Sequence, residues 1–343
     1  LWVNGGLIMS QPATDGAGRT FIDAYAHVGE PRFGSAEEAV AVMDRWNTER
    51  AVLVLGPGIP DLEALRKARE LAGDRVRCMG IPFGETEEQR SQLAGVQIRM
   101  GISGMRFMPF EMPPNAEVLA RLGERGLWLF AINVHESAEI TRTLLDWLAD
   151  HPQGAIASPH FLYPHPIDEA ADDPGLLREL LRHPRFYAIL SRHGGASTEP
   201  YPHEDLRPWV EGLVEEMGWK KLMWGSEYPC LYWRNEQIDE ARRWVHELGI
   251  ELTDEQRAAF FDGNARRLFF DDPAPPAEDV TIPAWVEEQF NRHRTVALFP
   301  RTALQMPMSD YRHLLTGYIE ASAANPTLRF AEYVASKLGE HPG

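Results

Sequence analysis

Cysteine and long apolar segments are scarce in this chain of 343 residues, and their scarcity excludes several kinds of protein. The two cysteines, Cys78 and Cys230, cannot supply a disulfide framework and do not favour a cysteine metal site. No apolar run reaches the roughly 18 residues that span a bilayer. The stretch 1–20 lacks the basic and long apolar regions of a secretory signal. We therefore expect a cytoplasmic protein with no membrane partner.

Positive charge is also in deficit, because 51 acidic side chains outnumber 34 basic ones and the formal net charge is −17. No basic patch offsets this excess, so the chain should repel nucleic acid and anionic membranes. The rest of the composition, 44% hydrophobic and 25% charged, is typical of a globular protein with a large core. The charge excludes nucleic-acid partners and says little about a substrate.

Short β-branched or apolar runs alternate with amphipathic helical patterns along most of the chain. Eight runs have strand character, at 20–25, 50–55, 75–81, 101–107, 127–134, 154–159, 185–190 and 220–224. Their centres lie roughly 25 to 35 residues apart, the length of one strand and one returning helix. Eight such units predict an α/β fold, a (β/α)8 TIM barrel over residues 20–271. A doubly wound open sheet is the alternative, but residues 26–29 do not form the glycine-rich loop it needs.

Helices are predicted between these strands and after them. Helical spacing of apolar residues indicates helices over 36–48, 61–72, 86–93 and 137–150, the last with Ser137 as its N-cap. Thr253 opens a capping-box pattern, and the helix that follows is predicted to stop at Gly263.

Two regions lie outside the predicted barrel: an N-terminal extension over 1–19 and a C-terminal region over 272–343. The latter starts with a proline-rich acidic linker and continues with helical, aromatic character. We expect a mostly helical C-terminal extension that packs on the barrel or on a partner subunit. Its aromatic content disfavours a disordered tail and favours a homodimer.

Polar side chains follow the predicted strands at their C-terminal ends, where TIM barrels carry their catalytic groups. They are Tyr25 and His27 (strand one), Arg106 (four), His135 (five), His160 (six), Arg192 and His193 (seven) and Glu227 (eight). Tyr25 and His27 are two residues apart, so both point toward the barrel interior. A single histidine is more often structural than catalytic, but the joint placement predicts a site.

Three stretches of the sequence resemble the amidohydrolase superfamily, in its subgroup of small lactonases, hydrolases and decarboxylases. Residues 21–27, FIDAYAH, are similar to the Asp-x-His-x-His motif of strand one. Residues 223–229, MWGSEYP, are similar to the Gly-Ser-Asp-x-Pro motif of strand eight, and residues 263–269, GNARRLF, to the terminal helix. The resemblance covers roughly residues 21–270 and implies a TIM-barrel enzyme.

Two positions depart from the metal-ligand pattern that the resemblance implies. Tyr25 stands where the first strand-one histidine is expected, and Glu227 stands where the strand-eight aspartate is expected. A tyrosine ligates only as a phenolate, and its reference pKa of about 10 makes that costly. We therefore favour catalysis with no cofactor. The alternative is one divalent ion, zinc or manganese, held by His27, His135, His160 and Glu227.

The reaction expected from the resemblance is hydrolysis of a small anionic cyclic ester or amide, as in a lactonase. Glu227 acts on water as the general base. His27, His160 and Tyr25 donate hydrogen bonds to the oxygen on which negative charge develops.

The substrate expected for this reaction is a small anionic molecule. Arg106 and Arg192 indicate that its carboxylate is clamped by guanidinium groups. His193 and His135 are expected to make secondary contacts with it.

Two further functions and two structural roles compete with this interpretation. The chain could be a metal-assisted, non-oxidative decarboxylase of an aromatic or unsaturated carboxylic acid. It could also be a small-molecule-binding barrel without catalysis, because both altered positions are metal-ligand positions. Glu227 could instead be a structural partner of Arg106 or Arg192, and Tyr25 could fill the barrel floor.

Overall fold

The computed structural model describes residues 21–293, 297–298, 305–306 and 308–338, so the predicted N-terminal extension 1–19 lies outside the described residues. Eight parallel strands form one sheet in chain order. They are β1 (Phe21–His27), β2 (Thr48–Val54), β3 (Val76–Gly80), β4 (Gly104–Phe107), β5 (Trp128–Ala131), β6 (Ala155–Pro159), β7 (Phe186–Leu190) and β8 (Leu222–Trp224). Each predicted strand overlaps one of them, which confirms the (β/α)8 barrel.

The barrel closes between β1 and the chain that follows β8. The Glu227 N–H donates to the Tyr25 carbonyl oxygen at 2.9 Å, and the His27 N–H donates to the Tyr228 carbonyl oxygen at 2.6 Å. These bonds hold the two segments that carry Tyr25, His27 and Glu227 against each other. The first and last predicted site positions are therefore joined through the backbone.

Helices return the chain between the strands and continue beyond the barrel. They are α1 (Ala36–Arg45), α2 (Leu62–Ala72), α3 (Glu87–Arg99), α4 (Ala116–Glu124), α5 (Ala138–Asp150), α6 (Ile167–Ala170), α7 (Pro174–Arg182), α8 (His193–Ala196), α9 (Arg207–Met217), α10 (Cys230–Trp233), α11 (Ile238–Glu247), α12 (Asp254–Ala258), α13 (Ala284–His293), α14 (Met308–Ala324) and α15 (Phe330–Leu338). None of the described helices is both long enough and apolar enough to cross a membrane.

The predicted caps are confirmed, and three predicted helix ends are wrong, the first of them because α1 ends at Arg45 instead of 48. Ser137 accepts a hydrogen bond from the Ile140 N–H, and Thr253 forms a capping box with Gln256. Helix α3 continues to Arg99 instead of ending at 93. The helix after Thr253 does not stop at 263, because π-helical turns continue it over Ala259–Gly263 and Arg266–Phe270.

The end of this helical segment fills the barrel interior at the N-terminal ends of the strands. Phe269 packs against Trp128 and Phe130, with ring centroids 4.7 and 5.8 Å away. The Arg77 Nε donates to the Phe269 carbonyl oxygen at 2.9 Å. Tyr25 also stacks on Phe130, with ring centroids 6.2 Å apart, and is fully buried. The barrel interior is thus filled up to the level of Tyr25.

The C-terminal region is mostly helical, with a two-stranded pairing of Ala297–Leu298 with Gln305–Met306 between α13 and α14. Trp285 of α13 stacks on Phe83, which follows β3, with ring centroids 6.4 Å apart. The Tyr311 hydroxyl of α14 donates to the carbonyl oxygen of Arg32, which follows β1. The extension therefore contacts the loops at the C-terminal face of the barrel.

Candidate active site

Three of the predicted site residues meet at the C-terminal face: His27 at the end of β1, His160 directly after β6, and Glu227 three residues after β8. Their candidate ligand atoms all lie within 4.8 Å of one another. The His160 Nε2 is 3.3 Å from the Glu227 Oε1. All three side chains are buried, with 3%, 7% and 4% of their surface exposed. We refer to His27, His160 and Glu227 as the central cluster.

Strained backbone holds two members of this cluster in place. His160 has a φ of 58° and Glu227 a φ of 55°, and neighbouring Arg192 has a φ of 67°. A side chain in this left-handed region costs about 1–3 kcal/mol, and such strain is concentrated at functional sites. The three residues therefore keep a conformation that the surrounding barrel must stabilise.

Both histidines of the central cluster keep their Nε2 atoms toward its interior. The His27 Nδ1 lies 3.0 Å from the Val54 carbonyl oxygen, which can only accept, so this nitrogen carries the proton. The His160 Nδ1 lies 3.1 Å from the Ser191 Oγ. Burial, and after it the charge of Arg106, lowers the pKa of His27 to about 3. Burial together with nearby arginines holds the pKa of His160 well below its usual value. Both rings are therefore neutral at pH 7.

Glu227 has an ion-pair partner in Arg234, to which nothing in the sequence pattern pointed. The Arg234 Nη1 is 2.5 Å from the Glu227 Oε2, and the Arg234 Nε is 2.5 Å from the Glu236 Oε1. Burial disfavours the charged form of Arg234, but both carboxylates raise its pKa. Arg234 and Glu236 follow α10 in a loop, so only their position after strand eight could have signalled them. The expected structural partners of Glu227, Arg106 and Arg192, make no ion pair with it in the described chain.

Asp23 fastens the strand that carries Tyr25 to the segment that carries Glu227. One carboxylate oxygen accepts from the Ser226 and Tyr25 backbone N–H groups at 2.9 and 3.1 Å. The other accepts from the Ser226 hydroxyl at 2.5 Å. Burial raises the pKa of Asp23 to about 6, although these bonds oppose the rise. Asp23 therefore positions the site without facing it.

Tyr25 lies between the two histidines of the central cluster. Its ring meets those of His27 and His160 edge to face, at centroid distances of 4.9 and 4.7 Å. Burial raises the pKa of Tyr25, and the charge of nearby Arg106 only partly opposes the rise. The hydroxyl is therefore protonated at neutral pH. The hydroxyl lies within hydrogen-bonding reach of the Arg106 guanidinium, which can only donate to it, so its own proton is available for a ligand.

Arg106 brings a buried positive charge to the same place. The residue is 5% exposed and lies in β4, where its Nη2 contacts the Met108 sulfur at 3.2 Å. Its Nε and Nη1 have no hydrogen-bond partner among the described residues. Arg192 is exposed, and its charge contributes to the lowered pKa of His160. Arg106 thus faces the interior of the site, whereas Arg192 lies at its rim.

His135 and His193 lie outside the central cluster. The His135 ring packs against those of Tyr163 and Trp209 at 4.6 and 5.3 Å, and burial lowers its pKa to about 4. The His193 Nδ1 is 4.0 Å from Glu236, and burial lowers the pKa of His193 to about 4. The structure therefore brings three of the four predicted metal ligands together, because the turn after β5 directs the His135 ring into an aromatic pocket.

The central cluster fits a divalent metal ion. Its Nε2 atoms belong to neutral imidazoles, and its third donor is a carboxylate, which matches the His2Glu set of some catalytic zinc sites. Adjacent ligands of a tetrahedral zinc ion lie about 3.3 Å apart, as His160 and Glu227 do here. The expectation that the chain needs no cofactor gains no support from this arrangement.

A cavity of about 330 Å³ opens at the C-terminal ends of β2, β3 and β4, and no residue of the central cluster lines it. Phe83, Phe110 and Glu111 are among its lining residues, and Gln289 of α13 contributes from the C-terminal extension. Burial raises the pKa of Glu111, and the charge of Arg106 opposes this. The cavity thus has a partly aromatic lining, and Arg106 acts on Glu111 by its charge without being one of the lining residues.

Solved structures with the same fold include several enzymes. A structure named as a 2-pyrone-4,6-dicarboxylic acid hydrolase from Acinetobacter baumannii is 16% identical, with a TM-score of 0.58 over 73% of this chain and 99% of its own. One of the same name from Pseudomonas putida is 21% identical, with a TM-score of 0.55 over 73% and 97%. A 5-carboxyvanillate decarboxylase from Novosphingobium aromaticivorans, with manganese bound, is 15% identical, with a TM-score of 0.51 over 74% and 98%.

The sequence itself carries the same signal over the barrel. None of the curated proteins matches this chain. The model of the amidohydrolase family, however, matches residues 21–270, which include all eight strands and the whole central cluster. The chain therefore belongs to the amidohydrolase family.

Proposed function

We propose that this protein hydrolyses a small anionic cyclic ester or amide, as a lactonase does. The observation that carries the proposal is the buried Arg106 guanidinium, which contacts the Tyr25 hydroxyl, acts by its charge on both neutral imidazoles, and has an Nε and an Nη1 without a hydrogen bond of ordinary geometry. A buried unpaired cation is unfavourable, so this group is suited to binding an anion. Glu227 and the imidazoles supply groups that accept protons.

Glu227 acts as the general base through Oε1, because Arg234 holds Oε2. Tyr25 donates its free hydroxyl to the carbonyl oxygen as negative charge develops there. His27 does not share that role, since its proton is directed to Val54 and its Nε2 can only accept. His160 can carry its proton on either nitrogen, because the Ser191 hydroxyl both donates and accepts.

A divalent ion would be held by His27, His160 and Glu227. When bound, it supplies Lewis-acid polarisation of the substrate carbonyl. The arginines then orient the substrate: Arg106 binds a carboxylate inside the site, and Arg192 guides the anion at the rim. His135 and His193 lie outside the central cluster, so they contribute by supporting the surrounding residues and do not contact the reacting groups. The aromatic residues that line the cavity at the ends of β2, β3 and β4 favour a ring-containing substrate.

The names of two similar structures agree with this proposal, because a pyrone dicarboxylic acid is an anionic cyclic ester. The second candidate is non-oxidative decarboxylation of an aromatic carboxylic acid. It is favoured by the fit of the central cluster to a metal ion and by the manganese-bound decarboxylase among the similar structures. Both reactions need the same arginines, and release of carbon dioxide separates them.

Replacement of the proposed base tests the proposal. With a panel of anionic lactones, Glu227→Gln should lower kcat by about 10²–10⁴-fold, the usual contribution of a general base. Glu216→Gln is the matched control, because Glu216 is also a largely buried carboxylate that is ion-paired to arginine, Arg178 and Arg182, but it lies on α9 and outside the central cluster. It should leave kcat unchanged. Full activity of the Glu227→Gln protein would contradict the assignment, and no turnover of any lactone by the parent protein would contradict the function.

A further inference from the structure

All three guanidinium nitrogens of Arg234, beside the central cluster, contact a carboxylate. Its side chain is 7% exposed and lies between two carboxylates. It contacts Glu236 through two atoms, with Nε at 2.5 Å and Nη2 at 3.4 Å from the two carboxylate oxygens. Its remaining Nη1 contacts the Glu227 Oε2 at 2.5 Å. Arg234 is therefore anchored on Glu236 and reaches Glu227 from a fixed direction.

The contact assigns different surroundings to the two oxygens of Glu227. Oε2 belongs to the ion pair with Arg234, whereas Oε1 lies 3.3 Å from the His160 Nε2. A carboxylate held by a planar guanidinium cannot rotate freely, because the bond is both charge-assisted and directional. Only Oε1 is therefore presented to the interior of the central cluster.

The same contact places a fixed positive charge next to a donor set that fits a divalent cation. Like charges repel, and the interaction is strong where solvent is excluded. Arg234 therefore opposes metal binding while it orients the carboxylate. Glu236 reduces that opposition, because its negative charge compensates Arg234.

We propose that Arg234, anchored by Glu236, is a positioning residue that restricts Glu227 to its Oε1 and weakens the binding of a divalent metal ion to the central cluster. The positioning part of this proposal rests on the proposed function, because it is tested by the turnover of a lactone. The metal-binding part needs no substrate. If the ion pair served folding alone, the affinity for the metal ion would not follow the charge at positions 234 and 236.

A charge series tests the proposal by isothermal titration calorimetry with Zn²⁺ or Mn²⁺ on chelator-treated protein. Arg234→Gln makes the surroundings more negative and should tighten metal binding at least about tenfold. Glu236→Gln makes them more positive and should weaken it by a similar factor. The double variant restores the balance and should return close to the parent affinity. Circular dichroism melts show whether each variant is folded.

The matched control is Arg178→Gln. Arg178 also bridges two carboxylates, those of Asp168 and Glu216, at 2.7 and 3.0 Å, but it is 29% exposed and lies on α7. Its replacement should not change the metal affinity. An order of affinities unrelated to charge, equal affinities throughout, or no metal binding by the parent protein would each overturn the proposal.

A variant that keeps every charge tests the positioning part. A Cβ at Gly194 would lie 2.5 Å from the Glu236 Oε1, so Gly194→Ala must displace that carboxylate and with it Arg234. On a lactone that the parent protein turns over, kcat should fall at least about tenfold while the metal affinity changes less than in Arg234→Gln. Unchanged kcat would overturn the positioning role. Absence of any lactone turnover would instead count against the proposed function and leave the calorimetric series intact.

Discussion

Replacing Arg106 by methionine should stabilise the ligand-free protein and weaken its binding of an anionic substrate. The guanidinium is 5% exposed, and its Nε and Nη1 lack hydrogen-bond partners among the described residues. Methionine has a similar length and no charge, so Arg106→Met removes two buried unsatisfied donors. Because Arg106 contributes to lowering the pKa of His27, the substitution should also relax that shift in part.

The substitution should raise the stability of the free protein and lower its affinity for the substrate, and the two magnitudes can be worked out separately. A buried unsatisfied polar group costs about 1–3 kcal/mol, so the free energy of unfolding should rise by about that amount. Loss of one partner of a buried charged pair in the complex costs about 2–5 kcal/mol. We therefore expect kcat/KM for an anionic lactone to fall by about 30-fold to several thousand-fold.

Guanidinium chloride unfolding measures the first effect. Steady-state kinetics with 2-pyrone-4,6-dicarboxylate measure the second, and thermal shifts with the same compound check binding. Arg192→Met is the matched control, because Arg192 is exposed and its loss should change the free energy of unfolding by less than about 0.5 kcal/mol. A destabilised Arg106→Met protein that still binds the dicarboxylate normally would refute the reasoning. That result would mean that Arg106 stabilises the barrel and does not bind the anionic substrate.

Two further substitutions test the pH dependence and the packing of the site. Burial lowers the pKa of His135 to about 4, so the unfolded chain takes up this proton first, and stability present above about pH 6.5 is lost as the pH falls toward 4. His135→Phe should therefore lose about 2 kcal/mol less than the parent protein between pH 7.5 and pH 5 in urea unfolding. Equal losses would contradict the assignment. A Cβ at Gly56 would lie 2.1 Å from the Phe33 ring, which stacks on His27 at 4.3 Å. Gly56→Ala should destabilise the protein by about 1–3 kcal/mol, whereas Gly95→Ala in α3, with its nearest contact at 3.4 Å, should not. Equal effects would contradict the packing argument.

The barrel could be predicted from sequence because its signal is local. Each strand is a short apolar run, and the repeated strand-and-helix length leaves few topologies. His27, His160 and Glu227 were found for the same reason: each follows a predicted strand, and the C-termini of parallel strands share one face. Their shared face of the barrel could therefore be predicted without knowing which side chains they contact.

Arg234 and His135 show where such reasoning stops. Arg234 lies in a loop after α10, and its two ion pairs depend on how that loop folds back over the site. His135 also follows a strand, but the turn Val134–Glu136 carries its ring away from the central cluster into an aromatic pocket. Loop conformation decides both cases, and no periodic pattern encodes it.

The fate of the substrate tests the central claim most directly. The protein should be incubated with 2-pyrone-4,6-dicarboxylate and related anionic lactones in ¹⁸O-labelled water, and the products analysed by mass spectrometry alongside Glu227→Gln. We predict a ring-opened product that carries one labelled oxygen, formed without release of carbon dioxide and lost in the variant. Release of carbon dioxide from an aromatic carboxylic acid, with no labelled product from any lactone, would contradict hydrolysis and favour decarboxylation.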